Sequence, residues 1–209
     1  MDIETERHRR ADAARNAGRI VRAARTAFAD DGPDVPLDEI ARRAGVGIRT
    51  LYRHFPHKSD LVRAVLDESV AENLTPAIDH ALSDDNPLRG FTTLIDAAVA
   101  MVAQEMNTLA AAKSAGSHTA DLSTAFFEAL TLLAKRAQQA GQIRADLDPD
   151  DLPRIMAMLV GVLWSMDLQT AGWRRYLTLL LDGLSPTATS TLPPAPPPTK
   201  SSRADNWLL

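Results

Sequence analysis

The chain has 209 residues, of which 45% are apolar and 24% are charged, and it contains no cysteine. This length and composition suit one sizeable domain or two small ones with a buried core, and they exclude an intrinsically disordered chain and a collagen-like repeat. The lack of cysteine excludes disulfide frameworks, thiol catalysis and thiolate metal sites. No apolar run approaches the roughly 20 residues that cross a bilayer, and the charged N-terminus lacks the apolar stretch of a signal peptide. We therefore expect a soluble cytoplasmic protein with no membrane partner.

The net charge of −4 divides unevenly along the chain. Residues 7–58 carry 12 basic and 6 acidic side chains, a balance of +6, whereas residues 67–209 carry 10 basic and 17 acidic side chains, a balance of −7. A basic patch beside an acidic remainder is typical of a chain in which one small domain binds a polyanion such as nucleic acid. An ordinary solvated face gives the same pattern, so charge alone leaves both interpretations open.

The first half of the chain predicts four helices. Apolar residues recur at helical spacing, and the alternating segments typical of strands are missing, so the predicted fold class is all-α. Gly32-Pro33 ends the first helix, and Gly45-Val46-Gly47 separates the second from the third. The predicted helices are about 15–29, Leu37–Ala44, Ile48–His54 and a fourth that runs from Lys58 to Pro76.

The second half predicts longer helices and then a tail. Apolar stripes at helical spacing run through residues 91–102, 126–137, 151–168 and 172–184. Asp148-Pro149-Asp150-Asp151 is typical of a helix start. Residues 185–209 are rich in Pro, Ser and Thr and cannot build a core, so we expect a flexible tail there.

The segment 36–55 has the pattern of a helix-turn-helix motif. In such a motif the second helix enters the major groove of DNA, about 12 Å wide, while the first packs across it and fixes its angle. Leu51 and Phe55 are expected to face the core of the domain. The outward residues of the second helix are Ile48, Arg49, Thr50, Tyr52, Arg53 and His54, and all but Ile48 carry hydrogen-bond donors.

Residues 19–66 resemble the DNA-binding domain of TetR-family transcriptional regulators. The resemblance rests on Ile-Ala-x-x-Ala-Gly-Val-x-x-x-Thr-Leu-Tyr-x-His-Phe, followed by Lys-x-x-Leu. It implies a helix-turn-helix domain at 13–73 with its motif at 36–55, a helical domain for effector binding and dimerisation at 74–184, and the tail. It also implies a dimeric repressor that leaves its DNA operator when a small molecule binds.

The resemblance assigns roles to residues of the motif. Matched by position, Thr50, Tyr52 and His54 contact phosphates, Lys58 touches the DNA backbone, and Gly47, Ile48 and Arg49 face base edges. The chain departs from the family pattern at Pro36 and Gly47, which replace capping residues at a cost on the order of 0.5–2 kcal/mol. Arg49 replaces a residue that is commonly small. Because arginine suits bidentate contact with guanine, we expect Arg49 to read a guanine, and a phosphate contact is the alternative.

The arginines near the N-terminus allow two interpretations. Arg7, Arg9 and Arg10 either form a disordered solubilising arm, which we favour, or lie along the minor groove beside the motif.

The remaining helices are assigned to dimerisation and ligand sensing. The last two are the most apolar, so they are expected to pair with their copies in a second chain as a four-helix bundle. The candidate interface residues are Trp164, Trp173, Tyr176, Leu177 and Leu180. Dimerisation predicts a near-palindromic operator with half-sites ~34–36 Å apart. The candidate walls of an effector pocket, which ordinary core packing would also explain, are Met101, Met106, Phe126 and Phe127.

The sequence gives no support for an enzyme. It contains no P-loop, no Gly-x-Ser-x-Gly, no His-Glu-x-x-His and no Glu-x-x-His pair, and its five histidines lack metal-ligand spacing. No cofactor or metal is expected. Two alternatives to a ligand-released repressor stay open: a DNA-binding regulator without a small-molecule effector, and a helical adaptor that binds a protein partner.

Overall fold

The computed structural model of the chain describes residues 2–115, 124–168, 171–187 and 190–194. Within these ranges every regular element is a helix, which confirms the all-α class. The helices are α1 (Asp2–Asp31), α2 (Leu37–Ala44), α3 (Ile48–His54), α4 (Lys58–Ser69), α5 (Thr75–Leu82), α6 (Pro87–Gln104), α7 (Met106–Ser114), α8 (Thr124–Gln139), α9 (Asp151–Leu163) and α10 (Trp173–Gly183), with a π-helical segment, Val70–Leu74, between α4 and α5. None of the described helices is long and apolar enough to span a membrane.

The chain forms two compact units. The first unit comprises Met1–Glu68 and Glu105–His118, and the second comprises Ser69–Gln104 and Thr119–Leu209. The first unit thus takes α7 from the predicted segment 74–184. The reason is that α7 packs on α1, and that buried Glu105 accepts hydrogen bonds from Nε of Arg25 on α1 (2.7 Å) and from the hydroxyl of Thr108 (2.9 Å). Division by sequence position alone could not reveal this insertion.

The core of the first unit is built from one face of each of its first four helices. α1 packs on α2, and α2 packs on α3. The fully buried side chains include Ile20, Ala24 and Phe28 from α1, Ile40 from α2, Leu51 from α3, and Leu61 and Val65 from α4. These contacts hold the two helices of the motif, whose bounds are those predicted from the sequence.

α1 begins at Asp2, more than three turns before the predicted start at about residue 15. Arg7, Arg9 and Arg10 are therefore helical, and the prediction of a disordered arm is wrong. Among residues 6–19, none whose burial is described is buried, so this part of α1 has no apolar stripe that could predict a helix. Its alanines and arginines favour helix by intrinsic propensity, which is a weaker signal.

The fourth helix ends earlier than predicted. α4 stops at Ser69, and the backbone continues through the π-helical segment before α5 begins. Pro76 lies in the first turn of α5, so the helical run continues through this proline instead of ending there as predicted. The side-chain amide of Asn73 donates to the carbonyl of Ser69 (2.9 Å) and gives it a partner at this change of helical register.

The second unit is organised around α6, which packs against α5, α8 and α9. Its predicted apolar stripes are buried, with Phe91, Leu94, Ile95, Ala98 and Val102 on α6, and Phe126, Phe127, Leu130, Leu133 and Ala137 on α8. α5 and α6 come close at Gly90, where a Cβ would lie 2.5 Å from the carbonyl oxygen of Ala81 and 3.1 Å from Cδ2 of Leu133. Any side chain at this position would push the backbones apart.

The C-terminal part of the chain differs from its prediction in two ways. α9 ends at Leu163 rather than near residue 168. The start of the predicted flexible tail is tied down, because Arg144 donates to the carbonyl of Ser190 (2.6 Å) and Asp146 accepts from the amide of Leu192 (3.0 Å). Arg144 is itself buried and donates to both carboxylate oxygens of Asp146 (2.6 and 2.9 Å), which lowers the pKa of Asp146. Residues 195–209 of the predicted tail lie outside the described residues.

Candidate nucleic-acid interface

The turn between α2 and α3 depends on glycine. Gly45 ends α2 with a left-handed backbone (φ +64°), and its N–H donates to the carbonyl of Arg42 (3.1 Å). The left-handed backbone requires glycine here, since the only atoms of the described residues that a Cβ at Gly45 would meet belong to the movable guanidinium group of exposed Arg19. Neither Pro36 before α2 nor Gly47 before α3 supplies a side-chain cap, as their residue types predict. The two helices therefore depend on tertiary packing for their position.

α3 turns one side to the core and the other to solvent. Leu51 is fully buried beneath the helix, and Phe55, also predicted to face the core, is half-buried. The predicted DNA-facing positions divide into exposed Gly47, Ile48, Arg49, Tyr52 and Arg53, and half-buried Thr50, His54 and Lys58. Because a helix of 7 residues is too short to be stable alone in water, the contact made by Leu51 fixes which side chains face outward.

His54 is more constrained than the sequence suggested. Its Nε2 atom is enclosed and has no hydrogen-bond partner among the described residues. Its ring centroid lies 6.4 Å from that of Phe55. A phosphate contact made by His54 therefore cannot use Nε2 in this arrangement.

Lys58 has a second role that the sequence pattern did not reveal. Its Nζ donates to the carbonyl oxygens of Pro33 (2.9 Å) and Val35 (3.1 Å), and lies 5.6 Å from the centroid of the Phe28 ring. Two of its three N–H groups are thus used inside the first unit. The ammonium group ties the start of α4 to the loop that precedes α2, and so supports the motif from behind.

The basic residues of α2 are neutralised within the unit. The carboxylate of Glu39 accepts from Nη2 of Arg42 (2.6 Å) and Nε of Arg43 (2.9 Å), and Arg43 also pairs with Asp30 and Asp31. The hydrogen bond from Arg42, followed by that from Arg43, lowers the pKa of Glu39 from 4.5 to about 2. Arg43 thus braces α2 against the end of α1, while Arg42 pairs with Glu39 within α2, and both guanidinium groups are engaged inside the unit.

The unpaired positive charge of the motif lies on α3. Arg49 and Arg53 are exposed, and neither makes an ion pair with any residue that the structure describes. Tyr52 is exposed between them and adds a hydroxyl. Guanidinium groups on an outward helix are suited to phosphates and to base edges. This arrangement defines the protein class as helix-turn-helix DNA-binding.

Two concavities in the second unit are of a size to hold a small molecule, about 450 Å³ and 290 Å³. The larger one runs along α8 and is lined by Thr124, Phe127, Glu128, Thr131, Leu132 and Lys135. The four predicted pocket walls, Met101, Met106, Phe126 and Phe127, are all buried, and of these Phe127 lines this concavity. Met106 belongs to the first unit and the other three to the second.

The predicted interface residues on α9 and α10 fall into two sets. Trp164 and Tyr176 are 56% and 44% exposed. Trp173 and Leu177 are only 3% and 4% exposed within their own chain. These two side chains pack inside the second unit, so the prediction that they face a partner is wrong. Leu180 is half-buried.

Two further apolar residues of this surface were missed by sequence reasoning. Met158 on α9 and Leu179 on α10 are 60% and 56% exposed. Gly161 lies between Met158 and Trp164 in sequence, and a Cβ added there would meet no heavy atom of the described residues within 4 Å. Apolar residues at helical spacing give the same sequence signal whether they face their own core or a partner, and only the packing separates the two.

Comparisons with known proteins identify the family. Residues 20–65 match the family described as bacterial regulatory proteins, tetR family, and residues 86–186 match the transcriptional regulator SbtR-like C-terminal domain. A TetR transcriptional regulator from Streptomyces coelicolor is 32% identical in its crystal structure, with a TM-score of 0.60 over 82% of this chain and 99% of that one. The chain belongs to the TetR family of transcriptional regulators. Members of this family bind DNA and are regulators rather than enzymes.

Other relatives agree in fold or in the motif. A TetR regulatory protein from Mycobacterium vanbaalenii is 34% identical over 84% of this chain and 98% of its own, with a TM-score of 0.55. LfrR from Mycobacterium smegmatis, solved in complex with proflavine, has the same fold at 20% identity, 86% coverage of this chain and 98% of its own, and a TM-score of 0.57. An uncharacterised HTH-type regulator of Mycobacterium tuberculosis is 44% identical over 64 residues, which are 30% of this chain and 34% of that protein. The curated relatives are thus matched over about a third of their length.

Proposed function

We propose that this regulator is a homodimeric repressor that binds a near-palindromic operator through α3 and leaves it when a small molecule binds its second unit. The observation that carries the proposal is the outward face of α3, with unpaired Arg49 and Arg53 on the side opposite buried Leu51. A helix presented in this way fits the major groove. A cytoplasmic location is proposed on the same ground, because the operator lies there.

The motif residues take distinct roles in this proposal. At the start of α3, Gly47, Ile48 and Arg49 face base edges, and Arg49 donates two hydrogen bonds to O6 and N7 of a guanine. Thr50, Tyr52, Arg53 and His54 contact phosphates, which positions the helix without reading sequence. Lys58 contributes chiefly through the loop it ties, since two of its N–H groups are used inside the unit.

The proposed dimer interface lies on α9 and α10. The two helices pack against each other and expose Met158, Trp164, Tyr176 and Leu179. Large apolar side chains clustered in solvent are typical of a surface that a partner covers, and tryptophan and tyrosine are frequent anchors of such surfaces. A second copy of the chain is the partner proposed, because a two-fold dimer sets two copies of α3 one helical turn of DNA apart.

The proposed effector site is in the second unit. The concavity along α8 combines apolar Phe127 and Leu132 with polar Thr131 at its wall, which is the mixture that small-molecule sites use. LfrR, which has the same fold, was solved in complex with proflavine. Effector binding would favour an arrangement of the dimer in which the two copies of α3 no longer match the operator spacing.

The experiment begins by selecting bound duplexes from a random pool with the full chain, which yields the operator. Arg49→Ala should then weaken operator binding by about 1–3 kcal/mol and relax base preference at one position in each half-site. Arg136→Ala, which removes an exposed charge from α8, is the control and should leave affinity and preference unchanged. Uniform weakening across sequences, with a shallower salt dependence, would reassign Arg49 to a phosphate.

Two outcomes would overturn larger parts of the proposal. If no duplex is shifted even at low salt, the chain is a helical adaptor and the operator proposal fails. If the operator is bound but no compound that raises the melting temperature in a metabolite panel also releases it, the chain is a DNA-binding regulator without a small-molecule effector.

A further inference from the structure

α1 carries three arginines on one exposed stripe. Arg15, Arg19 and Arg22 are spaced by four and three residues, so they share a face of the helix, and all three are exposed. Between Asp12 and Asp30 the helix contains no acidic residue at all. An exposed helical face ordinarily intersperses acidic and basic side chains. Here the face is purely basic, and we call these three residues the arginine stripe.

The side chains of the arginine stripe make few contacts within the molecule. Among the described residues Arg15 pairs only with Asp12, and both side chains are more than half exposed. The guanidinium group of Arg22 has no hydrogen-bond or ionic partner in the described part of the chain. The opposite face of α1, with Ile20, Ala24 and Phe28, makes the core contacts. Core packing therefore does not explain why three like charges are kept together, and internal ion pairing accounts only for Arg15.

The stripe lies beside the start of α3. Nη2 of Arg19 donates to the carbonyl oxygen of Gly45 (3.3 Å). Gly45 precedes Gly47, the N-cap of α3, by two residues, and the chain covers at most about 8 Å in that distance. In a helix-turn-helix the start of the second helix is the part closest to base edges, and phosphates flank the groove on both sides.

We propose that the arginine stripe is a second DNA surface, which binds the phosphates of the strand beside the groove that α3 enters. The inference rests on the operator binding proposed above and extends it to residues outside the motif. Arg15 and Arg19 also precede residue 20, where the match to the family begins. The guanidinium groups donate to phosphate oxygens in the bidentate manner that arginine favours, and Arg15 exchanges Asp12 for phosphate when DNA arrives.

The arginine stripe is proposed to contribute affinity for DNA, whereas α3 contributes the preference for a base sequence. Phosphate contacts release counterions and so supply affinity and salt dependence, but they carry no sequence information. Each monomer of the proposed dimer presents one stripe. The stripe therefore raises the affinity for duplex DNA whatever its sequence, while Arg49 and its neighbours determine which base sequence is preferred.

The test compares full-length variants on the selected operator over a range of salt concentrations. Arg15→Ala combined with Arg22→Ala should lower affinity ~10–100-fold at 0.1 M salt and make the slope of log K against log salt shallower by about 3–4, since about 0.9 is lost for each of two contacts in two monomers. Base preference should not change. Arg19 is left intact because it contacts the turn, and alanine keeps the helical propensity of α1.

Two matched variants decide the interpretation. Lys135→Ala combined with Arg136→Ala removes two exposed charges from α8 and should leave the slope as in the wild type. Arg15→Lys combined with Arg22→Lys keeps the charge and should keep most of the slope. If the wild type binds its operator and the double alanine variant keeps the same slope, the stripe is not a DNA surface and the operator proposal stands. If the wild type binds no duplex, both fail together.

Discussion

The outward face of α3 and the outward faces of α9 and α10 both leave aromatic side chains in solvent, yet their surroundings differ. On α3, Tyr52 lies between Arg49 and Arg53. At the end of α9, the C-cap residue Trp164 follows exposed Met158 and Gly161 with no charged residue between them, whereas Tyr176 on α10 follows exposed Arg174 and Arg175. Exposure alone does not say what a surface binds, because single exposed apolar residues are normal. The surroundings of Trp164 lack the charges that flank Tyr52, which favours a second copy of the chain over phosphate as its partner.

The two regions also differ in how they are held in place. α3 has 7 residues, a single fully buried side chain at Leu51 and no side-chain cap. The elements beside it are held by charged contacts, from Lys58 to the loop before α2 and from Arg43 of α2 to Asp30 and Asp31 of α1. α9 and α10 are held by an apolar core that includes Leu159 and Trp173. We therefore expect the stability of the DNA-facing region to fall when a charged residue is removed or the pH is lowered. The stability of α9 and α10 should fall when apolar side chains are shortened.

The largest expected effect comes from placing the same charge on each surface. Trp164→Glu puts a carboxylate into the proposed dimer interface twice, once from each monomer. If each copy costs about 2 kcal/mol or more, the dimer weakens on the order of a thousandfold. Sedimentation should then report monomers, and operator binding should be lost with the dimer.

Tyr52→Glu is the matched change on α3. It should leave the dimer intact in sedimentation while weakening operator binding, because a carboxylate now faces phosphates. A Trp164→Glu protein that still sediments as a dimer would place the interface elsewhere and would break the comparison between the two surfaces.

Sequence reasoning located the motif well because its ends are punctuated locally. Gly45 and Gly47 set the bounds of α2 and α3, and the buried position of Leu51 follows from helical spacing. It could not find the tie from Lys58 to Pro33, because the two residues are 25 positions apart and no periodic pattern links them.

The same limit explains the errors in the second unit. Trp173 and Trp164 both lie in apolar helical segments, and only the packing of α10 reveals that the first is core and the second is surface. The tie from Arg144 to Ser190 spans 46 positions and was invisible for the same reason. Early α1 was missed because a helix without an apolar face leaves no periodic signal.

A smaller effect is expected on the free energy of unfolding, which should show whether Lys58 stabilises the fold or acts only as a surface charge. Lys58→Met keeps the length of the side chain but removes the hydrogen bonds to Pro33 and Val35, so the free energy of unfolding should fall by about 1–3 kcal/mol in urea titrations. Arg53→Met, on the exposed face of α3, should change it by less than about 0.5 kcal/mol while still weakening operator binding. Equal stabilities for the two variants would mean that the tie adds nothing to the fold.

The smallest expected effect is the pH dependence that Glu39 gives to the first unit. Its pKa is lowered from 4.5 to about 2 by the hydrogen bonds from Arg42 and Arg43. Because the folded protein holds the ionised form, the stabilisation is complete above pH 4.5 and is lost as the pH falls from 4.5 toward 2. Glu39→Gln should remove that part of the acid dependence, seen as a smaller fall of the urea midpoint over this interval.

The control for this measurement is Asp38→Asn, the exposed neighbour on α2. Asp84 and Asp146 also have lowered pKa values, because Arg89 and Arg144 donate to them, so every variant loses stability in acid. The difference between the wild type and Glu39→Gln isolates the carboxylate that pairs with Arg42 and Arg43 within α2. If the difference between the two urea midpoints does not change with pH while operator binding is unchanged, the motif is held by Leu51 and its apolar neighbours alone. The DNA-facing region would then be supported in the same way as α9 and α10.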